Sequence, residues 1–163
     1  MHLLPQRLTS TAWTLVFGNN HKEQIATMRA VLLDTNAYTA FMRGDTDVVE
    51  VIAHANHLFL NSTVLGELLA GFSAGTREAK NRAELAQFLG SSRVGVYPVT
   101  ANTADSYALV YAGLRRKGQP IPSNDLWIAA SAMEHGAAVL SLDAHFAQVD
   151  GLRWGRCLHD LLP

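Results

Sequence analysis

From Met28 onward the chain alternates between short continuous apolar runs and longer stretches in which apolar residues return every third or fourth position. The first pattern suits a buried strand, the second one face of a helix. Strands are expected over Arg29–Leu33, Leu58–Leu60, Val94–Val99, Ala138–Leu142 and Leu152–Trp154. Helices are expected over Ala37–Arg43, stopped by Gly44, and over Val48–His54, striped by Val48, Val49 and Ile52. A third covers Val64–Phe72, with Ser62 or Thr63 as its N-cap. Arg77–Leu89 is amphipathic, its apolar face made by Ala83, Leu85, Ala86, Phe88 and Leu89, and Gly90 ends it. Ala104–Arg116 closes at Gly118. In Gln119-Pro120-Ile121-Pro122 each proline pushes its predecessor out of the helical region, so the segment is extended. Ser123 or Asn124 then caps a helix running to about His135, with Gly136 just past its end. His145–Val149 reads as a short helical turn. Elements alternating at this length favour βαβ units and a parallel sheet, an α/β fold.

Residues 1–27 carry no such period, and Gly18-Asn19-Asn20 is a cluster of breakers. They read as a flexible extension, or a mis-called start, ahead of a domain spanning 28–163; the alternative is an N-terminal helix that packs on that domain. Thr11–Phe17, with Arg7 before it, has the length of a signal-peptide core, but no convincing small-residue cleavage site follows. No apolar run approaches the roughly 20 residues of a membrane span. At 163 residues, 48% hydrophobic and 17% charged, the chain has the size and composition of one globular domain. Its one cysteine, Cys157, excludes an internal disulfide and a cysteine-based zinc site, and fits the reducing cytoplasm.

Four acidic residues then change the picture. Asp34 follows Val31-Leu32-Leu33, Glu67 follows Val64-Leu65-Gly66, Asp125 opens a helix, and Asp143 follows Leu140-Ser141-Leu142. In an open parallel sheet, strand ends and the helix starts after them gather on one edge, where ligands bind. Four carboxylates gathered there repel one another unless a cation joins them, and hard divalent cations take oxygen ligands and often bridge to phosphate. That chemistry points to a metal-dependent phosphodiester enzyme. The net charge of −1 argues at first against a nucleic-acid partner. With the four carboxylates neutralised, the rest of the chain is mildly positive, which permits RNA without requiring it.

Each residue also has an ordinary reading. Asp34 and Asp143 suit helix caps or turns, and Asp125 in a first helical turn suits the macrodipole. Glu67 fits no capping box and lies among Val64, Leu65, Leu68, Leu69 and Phe72, a helix that reads as largely buried. A charge in such a setting is costly unless it is paired or metal-bound.

In order along the chain, Val31-Leu32-Leu33-Asp34-Thr35-Asn36, Ser62-x-x-x-x-Glu67-Leu68, Asn124-Asp125-Leu126-x-Ile128-Ala129-Ala130 and Ser141-Leu142-Asp143-x-x-Phe146 resemble the motif series of PIN-domain ribonucleases. Within that group they resemble the VapC toxins of bacterial toxin–antitoxin pairs, from Met28 to about Trp154. The resemblance implies a three-layer α/β/α sandwich around a parallel sheet of strand order 3-2-1-4-5. It implies Mg²⁺ or Mn²⁺ held by Asp34, Glu67, Asp125 and Asp143 as the catalytic set, with Asn36 and Ser141 supporting them. It further implies cleavage of tRNA or ribosomal RNA, a cognate VapB-type antitoxin, and a homodimer. The sequence departs from the pattern at His145, where many relatives carry a further acidic residue. Substrate contacts are expected from Arg43 and Arg77 and from Arg115-Arg116-Lys117, a cluster that equally suits a solvated helix end. Tyr38, Phe41 and Met42 either line a groove for an antitoxin segment or belong to the core.

Two further readings stay open. Gly71-Phe72-Ser73-Ala74-Gly75 matches a nucleophile elbow, with Asp143 and His159 following in hydrolase order, although that motif requires a strand before Ser73. A PIN-like domain that binds RNA or a partner without cutting is the other. His54-x-x-His57 lacks the further ligands a metal site needs and reads as surface or helix-end residues.

Overall fold

The computed structural model describes residues 10–18 and 28–162. Helix α1 (Ser10–Phe17) precedes strand β1 (Met28–Leu33), α2 (Thr35–Met42), α3 (Thr46–His54) and β2 (Ala55–Asn61). Next come α4 (Ser62–Ala74), α5 (Glu78–Leu89), β3 (Val94–Tyr97), α6 (Ala101–Lys117) and α7 (Ser123–Glu134). Strand β4 (Ala138–Leu140), a 3₁₀ turn (Ala144–Gln148), β5 (Trp154–Gly155) and α8 (Leu158–Leu161) complete the chain. The five strands form one parallel sheet of order β3-β2-β1-β4-β5, as the resemblance implied. Because the chain builds outward from β1 to β3 and then returns to β4 on the other side, right-handed crossovers place the connecting helices on opposite faces. That gives three α/β/α layers. Among the described residues no helix is long and apolar enough to cross a membrane.

Strand β1 is central, and Val31, Leu32 and Leu33 are wholly buried, which is why the run reads as continuously apolar rather than alternating. Gly118 and Gly136 take positive φ angles of 64° and 60° just past α6 and α7, the left-handed stop that glycine adopts without a Cβ penalty. Strand β2 is longer than the sequence suggested, because Ala55 to His57 pair with β1 despite their polar content. Strands β3 and β4 are shorter than expected, and Ala83 and Ala86 of α5 stay exposed while Leu85 and Phe88 carry its burial. The short α8 has no counterpart in the sequence reading.

Over residues 10–17 the N-terminal segment is helical, the alternative the sequence left open. Residues 10–17 are not a free tail: α1 buries Val16 and packs Trp13 and Phe17 against the core. Phe17 meets Phe88 and Phe41 edge-on at centroid distances of 5.8 and 6.1 Å, and Trp13 lies 6.0 Å from Phe41. Tyr38 and Phe41 are buried in the same aromatic cluster, so they belong to the core rather than to a groove, with Met42 partly buried against it. The rest of the predicted extension, including Arg7 and Asn19-Asn20, lies outside the described residues.

Arg93, just before β3, fastens this end of the molecule. Its guanidinium donates to the carbonyls of Val16 and Ile52 at 2.6 Å each and to that of Ala55, and lies 5.7 Å from the Phe17 ring. One cation thereby joins the end of α1 to carbonyls that the end of α3 leaves without helical partners. Replacing it, Arg93→Met, is expected to cost about 2–3 kcal/mol, the scale of hydrogen bonds to a charged donor. Urea unfolding measures that loss, and hydrogen exchange should show Trp13–Phe17 amides losing protection ahead of those in β1.

Candidate active site

The sheet order reverses between β1 and β4, and open α/β sheets bind ligands at the carboxyl ends of the strands flanking such a reversal. Asp34 stands there, immediately after β1, with its amide donating to the Leu140 carbonyl of β4 at 3.0 Å. Its side chain is 5% exposed. Oδ1 accepts from the Thr35 amide at 2.7 Å, so the ordinary N-cap reading is correct as far as it goes. Oδ2 accepts from the Ser141 hydroxyl at 2.6 Å, across the end of the sheet.

Ser141 is wholly buried and organises the β4 side. Its Oγ also accepts from the Asp143 amide at 3.0 Å, and its carbonyl accepts from Trp154 Nε1 at 3.2 Å. Asn36, from the first turn of α2, accepts through Oδ1 from the Leu142 amide at 2.9 Å, holding the loop after β4 against α2. Asp143 caps the 3₁₀ turn through the His145 amide at 3.0 Å.

Glu67 and Asp125 come from two helices. Glu67 is half-buried: Oε2 accepts from the Thr35 hydroxyl, and Oε1 from the Asn124 amide nitrogen at 2.5 Å. Helix α4 is less buried than the sequence suggested, only Val64 and Leu68 being fully enclosed, so Glu67 reaches the cleft from a partly exposed helix. Asn61, rather than Ser62 or Thr63, caps α4. Its Oδ1 accepts from the Val64 amide at 2.9 Å, and Nδ2 donates to Ser131 Oγ and the Trp127 carbonyl, at 2.9 and 3.3 Å. That one buried amide ties the helix bearing Glu67 to the helix bearing Asp125. Helix α7 has Pro122 at its N-cap position, which leaves the Asn124 side chain free to reach Glu67.

Asp34, Glu67, Asp125 and Asp143 line a single cleft of about 870 Å³ with Thr35, Asn36 and Arg43. All four acidic residues singled out in the sequence therefore line the same cleft, with Arg43 in its wall. Arg115, Arg116 and Lys117 do not line it. Arg115 lies over the Tyr111 ring and donates to its hydroxyl, while Lys117 pairs with Asp150 at 2.7 Å. Arg77 is exposed at the start of α5.

The electrostatics follow from this crowding. Burial pushes the Asp34 carboxyl above its ordinary value of 3.8, the Asp125 and Glu67 charges push the same way, and the Ser141 and Thr35 hydrogen bonds oppose them. Burial also raises Asp125, opposed by the His145 hydrogen bond and reinforced by Asp143 and Glu67. A converging set of carboxylate oxygens, two of them on groups strained in this way, is the donor chemistry that a hard divalent cation satisfies.

The nucleophile-elbow reading fails on geometry. Ser73 lies inside helix α4 with no strand before it, and its hydroxyl donates to Glu78 at 2.8 Å. His54 Nδ1 contacts the Glu50 carbonyl, and His57 Nε2 the Tyr97 hydroxyl, so the two imidazoles serve separate local contacts.

Residues 31–152 match the family model of the PIN domain. Ribonuclease VapC2 of Rickettsia felis is 30% identical over 114 residues, which are 68% of this chain and 84% of that protein. Ribonuclease VapC4 of Mycobacterium tuberculosis is 33% identical over 85 residues, 51% of this chain and 64% of its own length. Among solved structures, VapBC2 from Rickettsia felis bound to a DNA fragment from their promoter superposes with a TM-score of 0.68 at 27% identity, covering 77% of this chain and 97% of that one. DNA-bound VapBC from Salmonella typhimurium gives 0.69 at 25% identity, covering 78% and 98%.

The raised Asp34 carboxyl predicts a pH effect with a definite sign. A carboxyl whose folded value exceeds its unfolded one stabilises the fold relative to higher pH while protonated, and that contribution is lost as pH rises through the folded value. In EDTA, Asp34→Asn should therefore melt above the wild type at pH 7, with the gap closing towards pH 4. Added Mg²⁺ should raise the wild-type midpoint and leave the variant nearly unmoved, as thermal unfolding monitored by circular dichroism will show.

Proposed function

Since the chain belongs to the VapC branch of the PIN-domain family, we propose that it is a divalent-metal-dependent endoribonuclease, the toxin of a toxin–antitoxin pair. The convergence of Asp34, Glu67, Asp125 and Asp143 on one cleft carries this reading. These four side chains would hold Mg²⁺ or Mn²⁺. When bound, such an ion lowers the pKa of water and offsets charge on the phosphoryl oxygens.

The chain's own groups do the positioning. Ser141 and Thr35 hold Asp34 in one orientation, and Asn124 and Thr35 hold Glu67 between them, so the two carboxylates meet the substrate with little reorganisation. Asn36 fixes the loop that presents Asp143. Arg43, in the cleft wall, supplies positive charge for a phosphate of the RNA backbone. Arg115 and Arg116 extend that contact outside the cleft, with Lys117 set in place by Asp150. The substrate is RNA of the tRNA or ribosomal class. The partners are a VapB-type antitoxin, a reading supported by the VapBC assemblies of Rickettsia felis and Salmonella typhimurium, and a second copy of the chain.

Incubating total tRNA and ribosomal RNA with the protein and Mg²⁺ or Mn²⁺ should yield discrete fragments, abolished by EDTA. Asp125→Asn should slow cleavage by about a hundredfold or more, the scale of losing one preorganised electrostatic group, while Ser73→Ala cuts at the wild-type rate. Cleavage that survives EDTA would overturn the metal-dependent reading, and RNA bound but never cut would favour a silent binding domain.

A further inference from the structure

The cleft has a neighbour that is not an acid. Asp143 is followed by the 3₁₀ turn, and the turn places His145 against both outer carboxylates. Its Nδ1 lies 2.8 Å from Asp125 Oδ2 and 3.1 Å from Asp143 Oδ1. One ligating atom from each of the three residues fits within 4.8 Å of the others, the spacing that a single ion can bridge. The placement is built in. The His145 amide donates to Asp143 Oδ1, and Phe146, next along the chain, is fully buried, so the turn cannot rotate away without emptying the core. The imidazole is 46% exposed and open to an ion arriving from solvent.

From this geometry we infer that His145 is a nitrogen ligand of the site, and that it biases the protein towards Mn²⁺ over Mg²⁺. The inference rests on the metal-dependent reading above and goes beyond it. A purely carboxylate set suits Mg²⁺, which prefers oxygen and keeps much of its water. An imidazole among the carboxylates favours Mn²⁺ and later divalent metals, because nitrogen donors gain more from them. A hydrogen-bonded counter-ion to Asp125 and Asp143 would leave the same contacts in the absence of metal. The two roles separate once a paramagnetic ion is bound.

The test uses the full chain, Mn²⁺ and pulsed electron paramagnetic resonance, with binding followed by the loss of the free-ion signal. Wild type should bind Mn²⁺ and show the ¹⁴N coupling of a directly bound imidazole. His145→Ala should lose that coupling and weaken Mn²⁺ about tenfold or more, with Mg²⁺ affinity, measured by calorimetry, little changed. His145→Asp should also lack the nitrogen signal and bind Mg²⁺ at least as well as the wild type, which would show that the turn still folds. Bound Mn²⁺ without ¹⁴N coupling in the wild type, or coupling that persists in His145→Ala, would overturn the assignment. Mn²⁺ left free by the wild type would instead remove the metal-dependent reading on which it stands.

Discussion

The hydrogen bond from Ser141 to Asp34 joins the ends of the two strands between which the sheet changes direction. It is 2.6 Å long, buried, and links residues far apart in the chain. Hydrogen bonds to a charged group contribute on the order of 1.5–3 kcal/mol, and this one also keeps a nearly sealed carboxylate in one rotamer. The rest of the cleft is arranged around it. Thr35 follows Asp34 and reaches Glu67; Ser141 receives the Asp143 amide; Asn36 closes the loop from the other side. Remove the pairing and the β1 and β4 ends lose the reference against which both helical carboxylates are placed.

The site opposes the stability of the fold that carries it. Asp34 and Asp125 are both held above the ordinary carboxylate range, by burial first and by their acidic neighbours. Elsewhere the structure compensates with apolar burial and with clamps such as Arg93, which lies against the aromatic cluster of Phe17, Phe41 and Phe88. Asn61 works between the two regimes. As a buried cap it stabilises α4, and through Ser131 and Trp127 it fixes the relation between Glu67 and Asp125. This division is the expected pattern, in which local conflicts gather at functional sites and consistency prevails around them.

The strands, and the acidic residues at their ends, were legible from local pattern, whereas the strand order came from the family resemblance. Val31-Leu32-Leu33 announces a doubly covered strand, and an acid at its end falls on the ligand edge whatever the distant sequence is. Pairings were not legible. Nothing near Asn61, the last residue of β2, indicates that its amide meets Ser131. The Thr35 and Asn124 contacts to Glu67 depend on how α2, α4 and α7 converge. Helix α1 stayed one of two open readings because its burial depends on partners, Phe41 and Phe88, that are remote in sequence. The pairing of Lys117 with Asp150 likewise joins positions that are distant in the chain.

The central claim is that these four carboxylates converge in order to hold a divalent cation. Anomalous diffraction from a crystal of the protein soaked in Mn²⁺ addresses it directly, since it locates the ion without reference to any activity. A strong anomalous peak is expected in the cleft, bounded by Asp34, Glu67, Asp125 and Asp143, and is lost in Asp125→Asn. A well-ordered cleft in Mn²⁺-soaked crystals with no peak there, or ions bound only elsewhere on the surface, would contradict that claim.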